Sequence, residues 1–229
     1  MNKLFNVFIL SVISFFSAAS AASIIINGTR IVYPAEDKEV SVKINNVGIT
    51  PVLVQSWIDN GDTNAKPESI QVPFILTPPI NRVDAGKGQI LRITVMPNNL
   101  PMDKESVFWL NVLEIPAKAR TEQAVNLLQM AFRSRIKLFF RPTGLEGNAN
   151  DAIQALIWSG DGNTISAKNP TPYHVSLVTV AVNGKHIEGD MVAPGNSLTF
   201  KLPGQRGNKV SGEFVNDYGA VNLFESVLK

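Results

Sequence analysis

The chain has 229 residues, with 21 Lys and Arg against 19 Asp and Glu, for a formal net charge of +2. That balance lacks the basic footprint expected of a nucleic-acid or anionic-membrane binder. With no cysteine present, disulfides, a thiolate nucleophile and a cysteine-based metal centre are all excluded.

The first segment carries Lys3, runs apolar from Leu4 to Phe16, and closes on small residues at Ala19-Ser20-Ala21. A positive start, a short apolar centre and an A-x-A-like end compose a secretory signal peptide. The apolar run is about 13 residues, short of the roughly 20 that span a bilayer, so membrane insertion is not expected. Cleavage is expected after Ala21 or Ala22, and residues 1–22 are assigned to the signal. Loss of Lys3 takes the net charge from +2 to +1. About 207 residues remain, enough for one large or two ordinary domains without disulfides.

The rest of the chain reads as short strands. Ser41–Ile44, Val52–Gln55 and Ile90–Val95 alternate polar and apolar residues and are rich in β-branched types. Turn chemistry separates them at Asn27-Gly28, Asn60-Gly61-Asp62, Pro78-Pro79, Asp84-Ala85-Gly86 and Pro97-Asn98-Asn99. Strand patterns resume at Ala155–Trp158 and continue through Val175–Val182 and Ser197–Phe200, broken at Asn183-Gly184 and Pro194-Gly195-Asn196. Such spacing predicts an all-β sandwich or barrel and not a parallel α/β sheet. A proline followed by the polar, glycine-rich stretch Thr143–Asn150 reads as a hinge. Two domains are therefore expected, 23–143 and 144–229, each near the size of an immunoglobulin-like sandwich.

Asn126–Phe140 is ambiguous. Leu127, Leu128, Ala131, Phe132 and Arg135 fall at helical spacing among good helix formers. Read by twos, however, Leu128, Met130, Phe132, Ser134, Ile136, Leu138 and Phe140 share one face, opposite Gln129, Arg133, Arg135 and Lys137. That pattern fits a long strand better than a helix.

Catalytic signals are nearly absent. The two histidines are His174 and His186, and no G-x-S-x-G, H-E-x-x-H or P-loop motif occurs. Gly86-Lys87-Gly88 and Gly160-Asp161-Gly162 lack the third glycine of a dinucleotide fingerprint and read as turns. Asp59, Asp62 and Asn64 do not match a calcium loop. Asn27-Gly28-Thr29 is a glycosylation sequon that reads as a turn. No enzyme activity and no cofactor are expected.

Leu100–Pro116 (LPMDKESVFWLNVLEIP) resembles the signature of the PapD-like periplasmic pilus chaperones without a break. In the first domain Thr29–Pro34, Gln55–Asp59, Thr77–Pro79 and Arg135–Pro142 agree with it in order, and Lys168–Tyr173 and Val215–Gly219 do so in the second. The resemblance implies two immunoglobulin-like sandwiches set at an angle. It implies a chaperone that lends an edge strand, here Asn126–Phe140, to a pilus subunit whose own fold lacks one. Subunits would then pass to an outer-membrane usher-type platform.

The same resemblance assigns roles to residues. Leu128, Met130 and Phe132, with Leu127 or Asn126 at the margin, would fill the groove of the subunit, although residues of an ordinary core strand would look alike. Arg30 and Lys137 would anchor the subunit's terminal carboxylate, a group suited to charge-assisted bonds from a guanidinium and an ammonium. Lys137 has the opposite strand parity from the three groove residues, so it can face a cleft while they face the partner. Glu105, Arg141 and Asp217 would form an ionic network between the domains. The connection Ala117–Val125 is short, as in the short-loop class, and the disulfides of some members are missing. An exposed apolar edge also invites two free copies to cap one another. The competing reading is a secreted pilin or adhesin, which should carry an alternating apolar N-terminal arm and usually a cysteine pair. Ser23–Ile26 makes a poor arm.

Overall fold

The computed structural model describes residues 22–97, 99–116 and 130–229. Among the described residues nine strands form the first part: β1 (Ile24–Ile26), β2 (Arg30–Pro34), β3 (Val40–Asn46), β4 (Val52–Asp59), β5 (Phe74–Thr77), β6 (Ile80–Val83), β7 (Gly88–Val95), β8 (Ser106–Pro116) and β9 (Phe132–Arg141). They build two sheets, β1-β3-β7-β5 and β2-β9-β8-β4-β6. Alternation decides what each strand buries. On β3, Val42 and Ile44 turn inward while Ser41 and Lys43 stay exposed or partly so; on β4, Val52, Val54 and Ile58 turn inward. Tyr33, Ile44, Leu91, Leu110 and Leu138 lie fully buried between the sheets, each worth about 1.5–3 kcal/mol of apolar burial.

The second part holds β10 (Ile157–Gly160), β11 (Ile165–Lys168), β12 (Val175–Val182), β13 (Lys185–Glu188), β14 (Met191–Val192), β15 (Ser197–Phe200), β16 (Lys209–Val215) and β17 (Val221–Val227). Its sheets are β10-β11-β15 and β13-β12-β16-β17, with β14 also on β12. Trp158 anchors this core, its ring stacked on Phe224 at 5.7 Å and 12°. Asn183 and Gly184 both take positive φ, 52° and 78°. They close a two-residue hairpin with Val182 opposite Lys185, the geometry that suits the strands' right-handed twist. The two cores are separate: one draws from Ile24 to Phe140, the other from Ala152 to Leu228. Both parts are immunoglobulin-like sandwiches.

Two sequence expectations need correction. Ala155-Leu156 do not start a strand. Ala152–Ala155 form a 3₁₀ turn that places Ala152 and Ile153 in the second core, so their apolar character serves a plug and not an alternating face. Of the strand expected over Asn126–Phe140, residues 126–129 lie outside the described residues, Met130 and Ala131 are not in a strand, and β9 runs from Phe132 to Arg141.

Candidate functional site

β9 has different neighbours along its two edges. On one side it pairs with β8 throughout, from Phe132 opposite Glu114 to Phe140 opposite Ser106. On the other it is joined in parallel by β2, whose Arg30–Pro34 lie against Lys137–Arg141. Phe132–Ile136 therefore have no strand on that side among the described residues. An edge of this kind offers N–H and C=O groups to an incoming strand.

Side-chain parity divides the strand. Ile136, Leu138 and Phe140 pack into the first core, while Lys137, Phe139 and Arg141 turn toward the second domain. Phe132 is half-buried at the start of the strand, and Met130 is exposed before it. Leu128, Leu127 and Asn126 lie outside the described residues.

Where β2 meets β9, Arg30 and Lys137 are direct register partners. The Arg30 Nη1 donates to the Val215 carbonyl at 2.9 Å, and its guanidinium carbon lies 5.6 Å from the Phe139 ring centre. Its Nε is buried without a partner. The Lys137 ammonium makes no hydrogen bond or ion pair to any described residue. Burial, then the Arg30 charge, hold its ammonium below the ordinary range, with Asp190 pulling the other way. Burial likewise lowers Arg30, opposed by Asp217 and Glu105. Two neighbouring cations, both partly stripped of water, would be relieved by an anion between them.

Behind this pair the domains are joined by charge. Arg141 donates through Nε to Glu105 at 2.6 Å and through Nη1 and Nη2 to Asp217 at 2.7 and 2.9 Å. The second oxygen of Glu105 accepts the His174 backbone N–H at 2.8 Å and lies 3.2 Å from His174 Nδ1. Burial works against the Arg141 charge, but Asp217 and Glu105 outweigh it and hold the group above its ordinary range. Glu105, Arg141 and Asp217 thus meet at the junction, and Arg30 with Lys137 lie beside it.

Residues 23–146 match the family described as "Pili and flagellar-assembly chaperone, PapD N-terminal domain", and residues 151–225 match "Pili assembly chaperone PapD, C-terminal domain". The chain belongs to the PapD-like pilus-assembly chaperones. The probable fimbrial chaperone YadV of Escherichia coli is 45% identical over 219 residues, covering 89% of this chain and 89% of that protein. The CupB2 chaperone of Pseudomonas aeruginosa superposes with a TM-score of 0.78 at 39% identity, over 90% of this chain and all of that one (100%). The SafB chaperone of Salmonella enterica, solved in complex with the SafA pilin, gives 0.80 at 29% identity, over 92% and 99%.

The sequence reading missed a brace on the open half of this chaperone's β9. Asp59, at the end of β4, accepts Arg135 Nη2 at 2.6 Å, Arg135 Nε at 3.1 Å, Asn111 Nδ2 at 2.6 Å and the Gly61 N–H at 2.7 Å. Arg135 also covers the Trp109 ring, 4.5 Å from its centre. Burial pushes the Asp59 carboxyl up, yet these hydrogen bonds outweigh it and hold the group below its usual range. The available signal was parity: Arg133, Arg135 and Lys137 share the outward face, opposite Leu113, Asn111 and Trp109 of β8. His174 was passed over because nothing local marks it as a partner of Glu105.

Proposed function

We propose that the chain receives pilus subunits in the cleft between its domains and along the open edge of β9. Residues 1–22 direct export, so the encounter takes place in the periplasm. The edge Phe132–Ile136 supplies main-chain hydrogen bonds to a subunit sheet that lacks a strand, and Phe132, Met130 and Leu128 fill its groove. Arg30 and Lys137 take the subunit's terminal carboxylate, which sets the register that main-chain pairing alone leaves degenerate. No catalysis and no cofactor enter this reading, and bound subunits pass to an outer-membrane usher-type platform. Between encounters two free copies cap each other's edges.

The observation that carries it is the coincidence of a strand edge with no strand beside it among the described residues and two adjacent, partly buried cations where that edge ends. The SafB chaperone, solved in complex with the SafA pilin, supports subunit binding by this chain. Arg30→Ala or Lys137→Ala should leave the protein folded and exported but unable to retain subunits on co-purification from the periplasm. Normal retention by both variants would remove the cleft from the mechanism.

A further inference from the structure

Glu114 is a buried acid that the subunit site does not use. It lies on the core-facing side of β8, opposite Val54 of β4 and Phe132 of β9, and is 7% exposed. Among the described residues no lysine, arginine or histidine pairs with it. The hydrogen bonds it accepts from described residues all come from where the first strand begins. Its Oε2 takes the Ser23 N–H at 2.8 Å and the Ile24 N–H at 2.9 Å, and its Oε1 takes the Ser23 hydroxyl at 2.6 Å.

Residue 23 is seated on its other side as well. The Val47 N–H donates to the Ser23 carbonyl at 2.8 Å. A Cβ on Gly48 would stand 2.7 Å from the Ser23 Cβ, so the glycine makes the room. A buried carboxylate that takes three donors from Ser23 and Ile24, with no cationic side chain paired to it among the described residues, is a place where a charged donor is favoured over a neutral one.

We propose that signal-peptide cleavage supplies that charged donor, and that the α-ammonium of Ser23 forms a buried ion pair with Glu114 in the mature protein. This rests on the export reading above. A signal-peptidase-class hydrolase adds water across the Ala22–Ser23 bond. Ala22 keeps the new carboxylate, and the Ser23 nitrogen becomes an amine that is protonated at neutral pH, its ordinary pKa being about 7.7–8.0. A neutral amide donor at 2.8 Å is thereby replaced in place by a charged one. Cleavage after Ala21 would instead put the ammonium one residue away and leave an amide at Ser23. Of the two sites open in the sequence, the geometry selects the bond after Ala22. The pair pins β1 to β8 directly opposite Phe132, where the open edge of β9 begins.

The test uses chain purified from the periplasm. Its mass should correspond to a start at Ser23. Pairing that raises the α-amino pKa by one unit slows free-amine chemistry about tenfold. Cyanate should therefore carbamylate the terminus of the folded protein about tenfold more slowly than that of the same chain in urea. A folded chain made to start at Ala22 should also react faster, a comparison that holds if Glu114→Gln does not fold. If it folds, Glu114→Gln should abolish the protection, and should lower the melting temperature of the Ser23-start chain more than that of the Ala22-start chain. A mature chain starting at Ala22, or equal carbamylation rates in all forms, overturns the ion pair alone. An uncut chain in the cytoplasm overturns the export reading and this proposal with it, whereas normal subunit retention by the Arg30 and Lys137 variants overturns the cleft alone.

Discussion

Replacing Lys137 with Met removes the ammonium and keeps a side chain of similar length in its slot. In the free protein that ammonium is held below its ordinary range by burial and by Arg30, and no described residue offers it a hydrogen bond. A base whose folded pKa is depressed destabilises the fold in full below the folded value. The penalty fades as pH rises toward the unfolded value of about 10.4. Lys137→Met should therefore stabilise the chaperone at pH 7, by about 0.5–2 kcal/mol if it behaves as charge optimisations usually do. For a chain of this size that is roughly 1–8 °C in melting temperature. The advantage over wild type should shrink as pH approaches 10. Subunit affinity should move the other way. A lost charge-assisted bond of about 1.5–3 kcal/mol weakens binding roughly 10- to 150-fold. Thermal unfolding together with titration of a purified subunit reads both. A variant that melts below wild type and binds subunits unchanged would show Lys137 to be a structural cation, and the reasoning would fail.

Arg141→Ala leaves Asp217 unpaired and Glu105 with only His174, which should cost about 3–5 kcal/mol in urea denaturation. Adding Glu105→Gln and Asp217→Asn should recover part of that loss, and a triple variant no more stable than the single one would contradict a charge-based account. Asp59→Asn should destabilise at pH 7 by loosening Arg135. Because the folded Asp59 carboxyl titrates below the unfolded value of about 3.9, its contribution is present above that pH and lost as pH falls through the folded value. Urea curves for wild type and variant should then begin to approach each other near about pH 4 and converge only once the pH is below the folded value, and a gap that persists there would assign the effect to packing on Trp109.

Where a strand is bounded by turns and alternates cleanly, its extent was readable from residues alone: Val175–Val182 and Ser197–Phe200 are β12 and β15 end for end. Ala155-Leu156 failed because a buried 3₁₀ turn uses the same apolar residues as a strand start. β9 was harder, since Leu, Met, Gln and Arg favour a helix locally and only the long ladder with β8 overrules them. That its first half has no second strand beside it among the described residues depends on where β2 starts, a register more than 100 residues distant in sequence and invisible to any local pattern. The choice of Arg30 and Lys137 came from family resemblance, and their adjacency is a consequence of parallel pairing. Asp59 with Arg135, and Glu105 with His174, join positions 76 and 69 residues apart and leave no trace in spacing.

The two cations of the cleft are held by different parts of the molecule, and this separates their roles. Lys137 is aimed by β9 alone. Arg30 is aimed across the domain boundary, because its bond goes to the carbonyl of Val215. Val215 ends β16 and leads into the turn that carries Asp217, the residue clamped by Arg141. One turn of the second domain thus fixes both the ionic junction and the direction of Arg30. Gly219, in the same turn, has a φ of 81°, and a Cβ there would run into the Thr29 hydroxyl, one residue from Arg30. Any shift of the second domain that moved this turn would pull the guanidinium from its register partner Lys137 while leaving Lys137 in place. On the proposed reading of Arg30 and Lys137, the junction between the sandwiches is therefore part of the carboxylate site. It keeps two like charges close enough to share one anion, a geometry that their mutual repulsion would otherwise open.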